Sequence, residues 1–572
     1  MTQSIPVQDS KRNLPVFSDS PSLTDELARF EAEQRRRLGL EAEEQWLESM
    51  ANASFAKSER AKVTLLVGGL TMAHDVLVSA AFRGLGYAVQ PLDAPNYDAL
   101  RVGKEFGNRG QCNPTYFTVG NLVQFLLKLR DEKGMSTQEI IDRFVFLTAG
   151  ACGPCRFGMY VTEYRKALRD AGFDGFRVML FQQQGGLSQA TGEDSGLELK
   201  PAFFISLLKA LIAGDTLNAL GYRIRPYELV PGSTDTALEE CKRLCINALE
   251  KGGSILRAMW LCRGVLSKIE VDRTRIKPRV AIIGEFWAMT TEGDGNYRLQ
   301  RFIEQEGGEV DIQIVTAWIL YNIWEFRFDT AQRTELRGRD GGNSGLAGLG
   351  DYGVFKRRAL MWAADRGLRI VFHSFARAAG LRGYHLPDMD EVAEIAAPHY
   401  SNDLRGGEGH MEVGKLILNV VKQKATMTLS VKPFGCMPSS GVSDGVQSLI
   451  CEKLPGTIYC AVETSGDGAV NFQSRVQMYL FKAKQAAQAE VDRALEEVGL
   501  DLEQVGSFMG KHRRFAHALF HPEHRGTTTA VDVVRAVAQA RRPIWQRLGK
   551  FLPKRSSVLG KGEAGRSAAA AA

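Results

Sequence analysis

Phe144 to Tyr160 reads FVFLTAGACGPCRFGMY, and its reading decides the fold. The β-branched and aromatic run Phe144, Val145, Phe146, Leu147 predicts a short buried strand. Gly150 to Pro154 predicts a turn. From Phe157 onward, the spacing of Tyr160, Val161, Tyr164 and Leu168 predicts an amphipathic helix. Cys152 and Cys155 therefore fall where a strand ends and a helix begins. Free backbone N–H groups and the positive end of the helix dipole favour a thiolate there, which suits metal or redox chemistry.

Outward from this stretch the strand-to-helix alternation continues in both directions. Val63 to Val67 predicts a strand running into Gly68-Gly69, then a helix through Val76 and Ala81 and a strand near Tyr87 to Leu92. A glycine-rich turn leads to Cys112 and a helix from about Tyr116 to Leu129. A strand at Phe176 to Phe181 follows the Phe144 unit, and residues 198 to 270 are mainly helical, with Cys241, Cys245 and Cys262. A second alternating block opens at Arg279 to Gly284. It continues with a helix through Leu299 and Ile303, and strands at Val310 to Val315, Leu368 to Phe372, Met427 to Val431 and Thr457 to Val462. A long helix spans Val470 to Val498. Strands alternating with helices imply parallel sheets covered on both faces, an α/β fold. The expected divisions are 1–60 (a disordered start, then a helical arm over 25 to 56), 61–275 and 276–500 (two α/β lobes), and 501–572 (a helical segment and a basic, disordered tail). No internal repeat stands out.

The 572 residues are too many for one core, and 44% hydrophobic with 24% charged describes a chain with ample apolar surface to bury. The net charge of +6 is mild for the length and gives no warrant for a nucleic-acid partner. Nine scattered cysteines, an odd number without a signal sequence, favour a reducing cytoplasm over a disulfide framework. The longest apolar stretch noted, Ile314 to Trp324, is too short and polar to span a bilayer, so no transmembrane segment is expected.

Two other cysteines repeat the opening geometry. Cys112 lies in Gly110-Gln-Cys-Asn-Pro114 ahead of a helix, and Cys436 lies in Pro433-Phe-Gly-Cys-Met-Pro438 between a strand and a helix. Both read Cys-x-Pro, and proline suits the first helical turn, where its missing N–H is not needed. Thiols at three strand-to-helix junctions, gathered at the carboxyl ends of strands, suit an iron–sulfur cluster. A small buried thiol is the plain alternative for each one alone. Cys-Gly-Pro-Cys is also the thiol–disulfide exchange motif. It normally has a tryptophan ahead of the first cysteine, where this chain has Ala151, and a proline before a downstream strand, where Pro201 precedes a helical run. A structural zinc site brings two close cysteine pairs, and here there is one.

Gly153-Pro-Cys-Arg-Phe-Gly-Met-Tyr160 together with Pro433-Phe-Gly-Cys-Met-Pro-Ser439 resembles the 2-hydroxyacyl-CoA dehydratase superfamily, and within it the branch of activase-associated proteins. Arg225-Pro-Tyr-Glu228, Gly284-Glu285 with Asn296, Glu309-Val310, Gly407-Glu408, and Asn471 with Arg475 fit the same resemblance, which spans roughly residues 60 to 485. It implies two similar parallel-sheet, Rossmann-like lobes holding a cysteine-ligated cluster between them, of [4Fe-4S] type or larger. It also implies an oxygen-sensitive protein supplied with low-potential electrons by an ATP-dependent activase of the ASKHA type. An acyl-CoA substrate, and a homologous subunit or a second copy as partner, belong to the same implication. Carried over by position, Cys112, Cys155 and Cys436 match the cluster ligands, with Cys152 as a fourth ligand or a bystander. Glu285, Glu408 and Arg475 are candidates for substrate contact or catalysis. The ATPase module that some relatives carry is missing, since neither paired glycine phosphate loops nor a GxxxxGK[ST] loop occurs. A non-catalytic electron-transfer or scaffold subunit is the reading from another class.

Other features have plainer readings. His512, His517, His521 and His524 crowd one segment with Glu523 as their single acidic neighbour, a metal site or a solvated helix end. Cys241 and Cys245 stand one helical turn apart among apolar residues, which predicts packing. Glu285 and Glu408 could equally cap helices. The stretch 337 to 350 reads as a lid or a loop. Arg541 to Lys554, with Trp545, Leu548, Phe551 and Leu552, reads as a basic tail or a surface for a membrane or acidic partner.

Overall fold

The structure is a computed structural model that describes residues 55–150, 155–182, 196–336, 351–404, 407 and 409–542, with positions 29, 30, 33, 34 and 36–38. The chain divides into two compact units, Met1–Asn52 and Ala53–Ala572. Helix and turn are described in the first at the seven positions just given. Most of the expected arm, the first 22 residues, the 337–350 stretch and the tail beyond 542 lie outside the described residues.

The larger unit holds two parallel sheets of four strands each. The first consists of β1 (Thr64–Val67), β2 (Ala88–Pro91), β3 (Phe144–Gly150) and β4 (Arg177–Gln182), in the order β2-β1-β3-β4. The second consists of β5 (Arg279–Gly284), β6 (Glu309–Ile312), β7 (Met427–Pro433) and β8 (Tyr459–Thr464), in the order β6-β5-β7-β8. The two orders are the same, strand for strand, and every strand pairing is parallel. The absence of a visible sequence repeat thus conceals a repeated topology.

Alternation of side chains along the strands decides which helices cover which face. Leu65, Val67, Val145 and Leu147 point to one side, against helices Met72–Gly84 and Pro201–Ile224. Leu66, Phe144, Phe146 and Val178 point to the other, against helices Asn113–Asp131 and Tyr160–Asp170. In the second sheet, Val280, Ile282, Leu429 and Val462 meet helices Leu299–Gln305 and Ala469–Val498. On its opposite face Ile283 meets helix Gly409–Val421. The first of these cores does not stop at residue 275; it runs on to Ile314, Trp324 and Phe372 in the second half of the chain.

Leu368 to Phe372 is not a strand. It lies inside the helix Asp351–Ala379, where Leu368, Phe372, Phe375, Ala376 and Ala379 recur at helical spacing and are buried. The β-branched residues suggested a strand only because the window was too short to show that period. The most apolar helix is Pro201–Ile224 rather than the 314–324 stretch. Over Pro201–Tyr227 it is long and apolar enough to cross a bilayer, yet 56% of its apolar window is buried in this protein. It touches helices of both halves as well as β6.

Candidate active site

All three candidate thiols occupy helix N-cap positions. Cys112 is the N-cap of Asn113–Asp131, with Pro114 in the first turn. Cys155 is the N-cap of the short 3-10 turn Arg156–Met159, which leads into Tyr160–Asp170. Cys436 is the N-cap of Met437–Gly441, again with proline in the first turn. None of the three makes a side-chain cap hydrogen bond by geometry, though the Ser439 backbone N–H and hydroxyl ease the Cys436 thiol toward its charged form. The repeated topology also gives Cys155 and Cys436 equivalent places, just beyond the third strand of each sheet. Cys152 lies outside the described residues.

The loops of Cys112 and Cys436 touch. The backbone N–H of Asn113 donates to the carbonyl of Phe434 at 2.9 Å. Gly435 has φ +77°, and a Cβ there would stand 3.2 Å from the Cys112 Cα and from the Gln111 carbonyl oxygen. Only glycine adopts that conformation without strain in so little space. Cys112 and Cys436 are both buried, at 6% and 7% exposure. The Cys112 sulfur is 3.0 Å from the Tyr160 hydroxyl and 3.1 Å from the Thr115 hydroxyl. Burial pushes the Tyr160 hydroxyl well above its usual range, and the charges of Cys112 and Glu285 push it further. Burial likewise pushes the Cys436 thiol up, reinforced by Glu285.

Glu285 ends the first strand of the second sheet. Its carboxylate accepts from the N–H groups of Trp287 at 3.1 Å and Ala288 at 2.8 Å, so it caps a helix. It also stands on the wall of a cavity of about 410 Å³ that opens between the carboxyl ends of the two sheets. Cys155, Phe157, Tyr160 and Tyr164 contribute one side of that cavity. Gly68, Asp75 and Phe203 contribute a second, and Phe286, Trp287, Trp318 and Tyr321 a third. Lysine, arginine and histidine are absent from the described lining. The walls are mostly apolar, and burial lifts the Asp75 carboxyl to about 7, although His74 opposes the shift. Behind the cleft, burial lifts Glu412 to about 7, with Glu285 adding to the effect. One Glu412 oxygen takes the Ser439 hydroxyl at 2.7 Å; the other has no partner among the described residues.

The remaining candidates fall elsewhere. Glu408 lies outside the described residues, though Gly407 is on the cavity wall. Arg475 is exposed on the Ala469–Val498 helix and acts on the Cys460 thiol, away from the cavity lining. Cys241 and Cys245 are wholly buried between two helices against Met259 and Cys262. The four histidines near the end of the chain go to separate partners. His512 meets the Phe508 carbonyl, His517 the Leu519 N–H, His521 the Pro522 carbonyl, and His524 Asp532.

Tyr160, Asp75 and Glu412 were not singled out from the sequence. The signal for the two acids is an ionisable residue inside an apolar helical run, AHDVLVSAAF and HMEVGKLIL.

Cys155 lines the cavity while Cys112 and Cys436 do not; thiols at three helix starts fit thiolate ligation in donor type. Among the described residues no three His, Cys, Asp or Glu side chains stand close enough to share one metal ion. A cluster asks for something different, because each cysteine binds its own iron and the sulfurs stay further apart. Compared with known proteins, the chain matches no family model and no curated protein.

Proposed function

We propose that this chain is a 2-hydroxyacyl-CoA dehydratase-like iron–sulfur protein that receives low-potential electrons from a separate ATP-dependent activase and acts on a bound acyl thioester. The observation that carries the reading is the placement of three thiols at helix N-termini, with Cys155 on the cavity wall, Cys112 against the lining Tyr160, and the Cys436 loop bonded to that of Cys112. Those three residues would hold the cluster, with Cys152 as the fourth candidate. When bound, such a cluster supplies a low-potential electron and, with three protein ligands, an open coordination position.

This chain's own residues supply the rest. The apolar walls admit an acyl group, and the described lining, which holds no basic side chain, leaves the phosphorylated part of a coenzyme A ester outside the cavity. Asp75, with its carboxyl near 7, can hold or release a proton at neutral pH. The Tyr160 hydroxyl is kept protonated and shares a hydrogen bond with the Cys112 sulfur. A cavity of about 410 Å³ with apolar walls favours a catalytic protein over a bare electron carrier.

Anaerobic purification followed by iron and acid-labile sulfide analysis tests the reading. A brown protein containing both is expected, reduced by activase with ATP. A colourless protein, or one holding zinc after anaerobic reconstitution, overturns it. Iron and sulfide without turnover when activase, ATP and acyl-CoA are all supplied would favour the electron-transfer or scaffold role.

A further inference from the structure

A second cavity, of about 460 Å³, runs along the free edge of β6 and shares no wall residue with the thiol cleft. Three cations reach its wall from three separate elements. Arg223 comes from the Pro201–Ile224 helix, Lys415 from the Gly409–Val421 helix, and Lys424 from the turn before β7.

The other charges on this wall are mostly spent. Arg279 faces Glu309 at 3.4 Å and Asp532 at 3.6 Å. Lys422 is paired with Glu391. Asp388 caps the helix Met389–Ala396. Burial, with Arg223 and Arg279 nearby, keeps His521 neutral. Among the described residues, Lys415 and Lys424 have no ion pair or side-chain hydrogen bond. Arg223 gives one N–H to the Arg382 carbonyl at 2.7 Å and lies 5.2 Å over the Tyr384 ring. Asp311 acts on all three cations without forming a pair, Glu309 also acts on Arg223 and Glu391 on Lys424.

Lys415 and Lys424 line the cavity without an ion-pair partner among the described residues, a place that an entering anion fills. Three cations converging from different directions suit a tetrahedral oxyanion better than a planar carboxylate. The space exceeds what a bare phosphate fills, and Tyr384, Leu386, Pro387 and Ile314 give it an aromatic and apolar side. We propose that this cavity binds a small organic phosphate monoester, its phosphate held by Arg223, Lys415 and Lys424 and its organic part against Tyr384. The binding site is separate from the thiol cleft, and it stands whether or not that cleft carries a cluster.

Supporting trends come from the cations themselves. Burial lowers Lys415 to about 8 and Arg223 to about 10, with Asp311 opposing the shift at both.

Calorimetric titration of the full-length protein with phenyl phosphate, inorganic phosphate and succinate tests the proposal. One phenyl phosphate per chain is expected, bound at least tenfold more tightly than succinate and weakened by added salt. Lys415→Met and Arg223→Met should each weaken it at least tenfold with the far-ultraviolet circular dichroism unchanged. If either variant fails to fold, Lys424→Glu, half-buried on the same wall, serves in its place and should abolish binding. No heat with phenyl phosphate at millimolar concentration, succinate binding as tightly, or unchanged affinity in the folded variants overturns the proposal.

Discussion

The N–H of Asn113 and the carbonyl of Phe434 join the first residue after Cys112 to a residue two before Cys436, at 2.9 Å. The two thiol loops are therefore set by one another, not only by the sheets that carry them. Residues distant in sequence are held in register at the point where the candidate ligands begin.

Gly435→Ala tests that joint. The position has φ +77° and 3.2 Å of clearance to Cys112. A Cβ there should cost about 1–3 kcal/mol, read as a fall in the denaturation midpoint at unchanged slope. It should also loosen retention of any bound iron. Wild-type stability would mean that the two loops do not meet.

Single cysteine substitutions separate ligands from packing residues. Cys112→Ala, Cys155→Ala and Cys436→Ala should each lose most of the bound iron. Cys241→Ala and Cys245→Ala, wholly buried and away from the cleft, should keep it and cost on the order of 1 kcal/mol. Cys152→Ala is the informative case, since retained iron would leave an open position and lost iron would give four protein ligands. A folded Cys436→Ala with full iron and an unchanged visible spectrum ends the cluster reading.

Asp75 makes stability depend on pH in a stated direction. Burial raises its carboxyl to about 7 in the folded chain, against about 3.9 when unfolded. Its contribution is whole below about pH 4 and is lost as pH rises through about 7. Asp75→Asn removes this dependence. Between pH 5 and pH 8, wild type should lose roughly 2 to 3 kcal/mol relative to the variant, by urea denaturation at each pH. Parallel profiles would mean that Asp75 titrates as an ordinary exposed acid.

Asp215 carries four contacts at one buried point. It takes His74 Nε2 at 3.1 Å, the N–H groups of Val315 at 2.8 Å and Thr316 at 2.6 Å, and the Thr316 hydroxyl at 2.6 Å. Asp215→Ala should cost on the order of 3–5 kcal/mol, because it leaves buried donors without an acceptor. Thermal unfolding checks it; a shift of only a degree or two would show that water replaces the carboxylate.

Seven of the eight strands were legible in the sequence within a few residues, because each is a short apolar run closed by glycine or proline. The eighth, β6, was set too far along, as Val310 to Val315, because Ile314 and Val315 continue the apolar run past the strand's end at Ile312. The extra strand at Leu368 to Phe372 came from the opposite error, a five-residue window cut from a 29-residue helix. The N-cap places of Cys112, Cys155 and Cys436 were readable because proline and glycine mark the turns locally. The cavity was not readable. Asp75, Glu285, Trp287 and Trp318 meet only through the packing of two sheets, and nothing in a linear spacing records that meeting. Arg475 failed to reach the cleft for the same reason: its position in the chain says nothing of which side of a long helix faces the site.

The long apolar helix Pro201–Ile224 has a consequence for how the chain is made. Its partners include β6 and the helix at Val315, which leave the ribosome about a hundred residues after it. Until they arrive, the flank that meets β6 and Val315 is uncovered and Asp215 keeps His74 but lacks the Val315 and Thr316 N–H groups, which leaves the nascent first half incompletely packed. A gene fragment ending near residue 275 should therefore yield aggregate or a chaperone-bound chain.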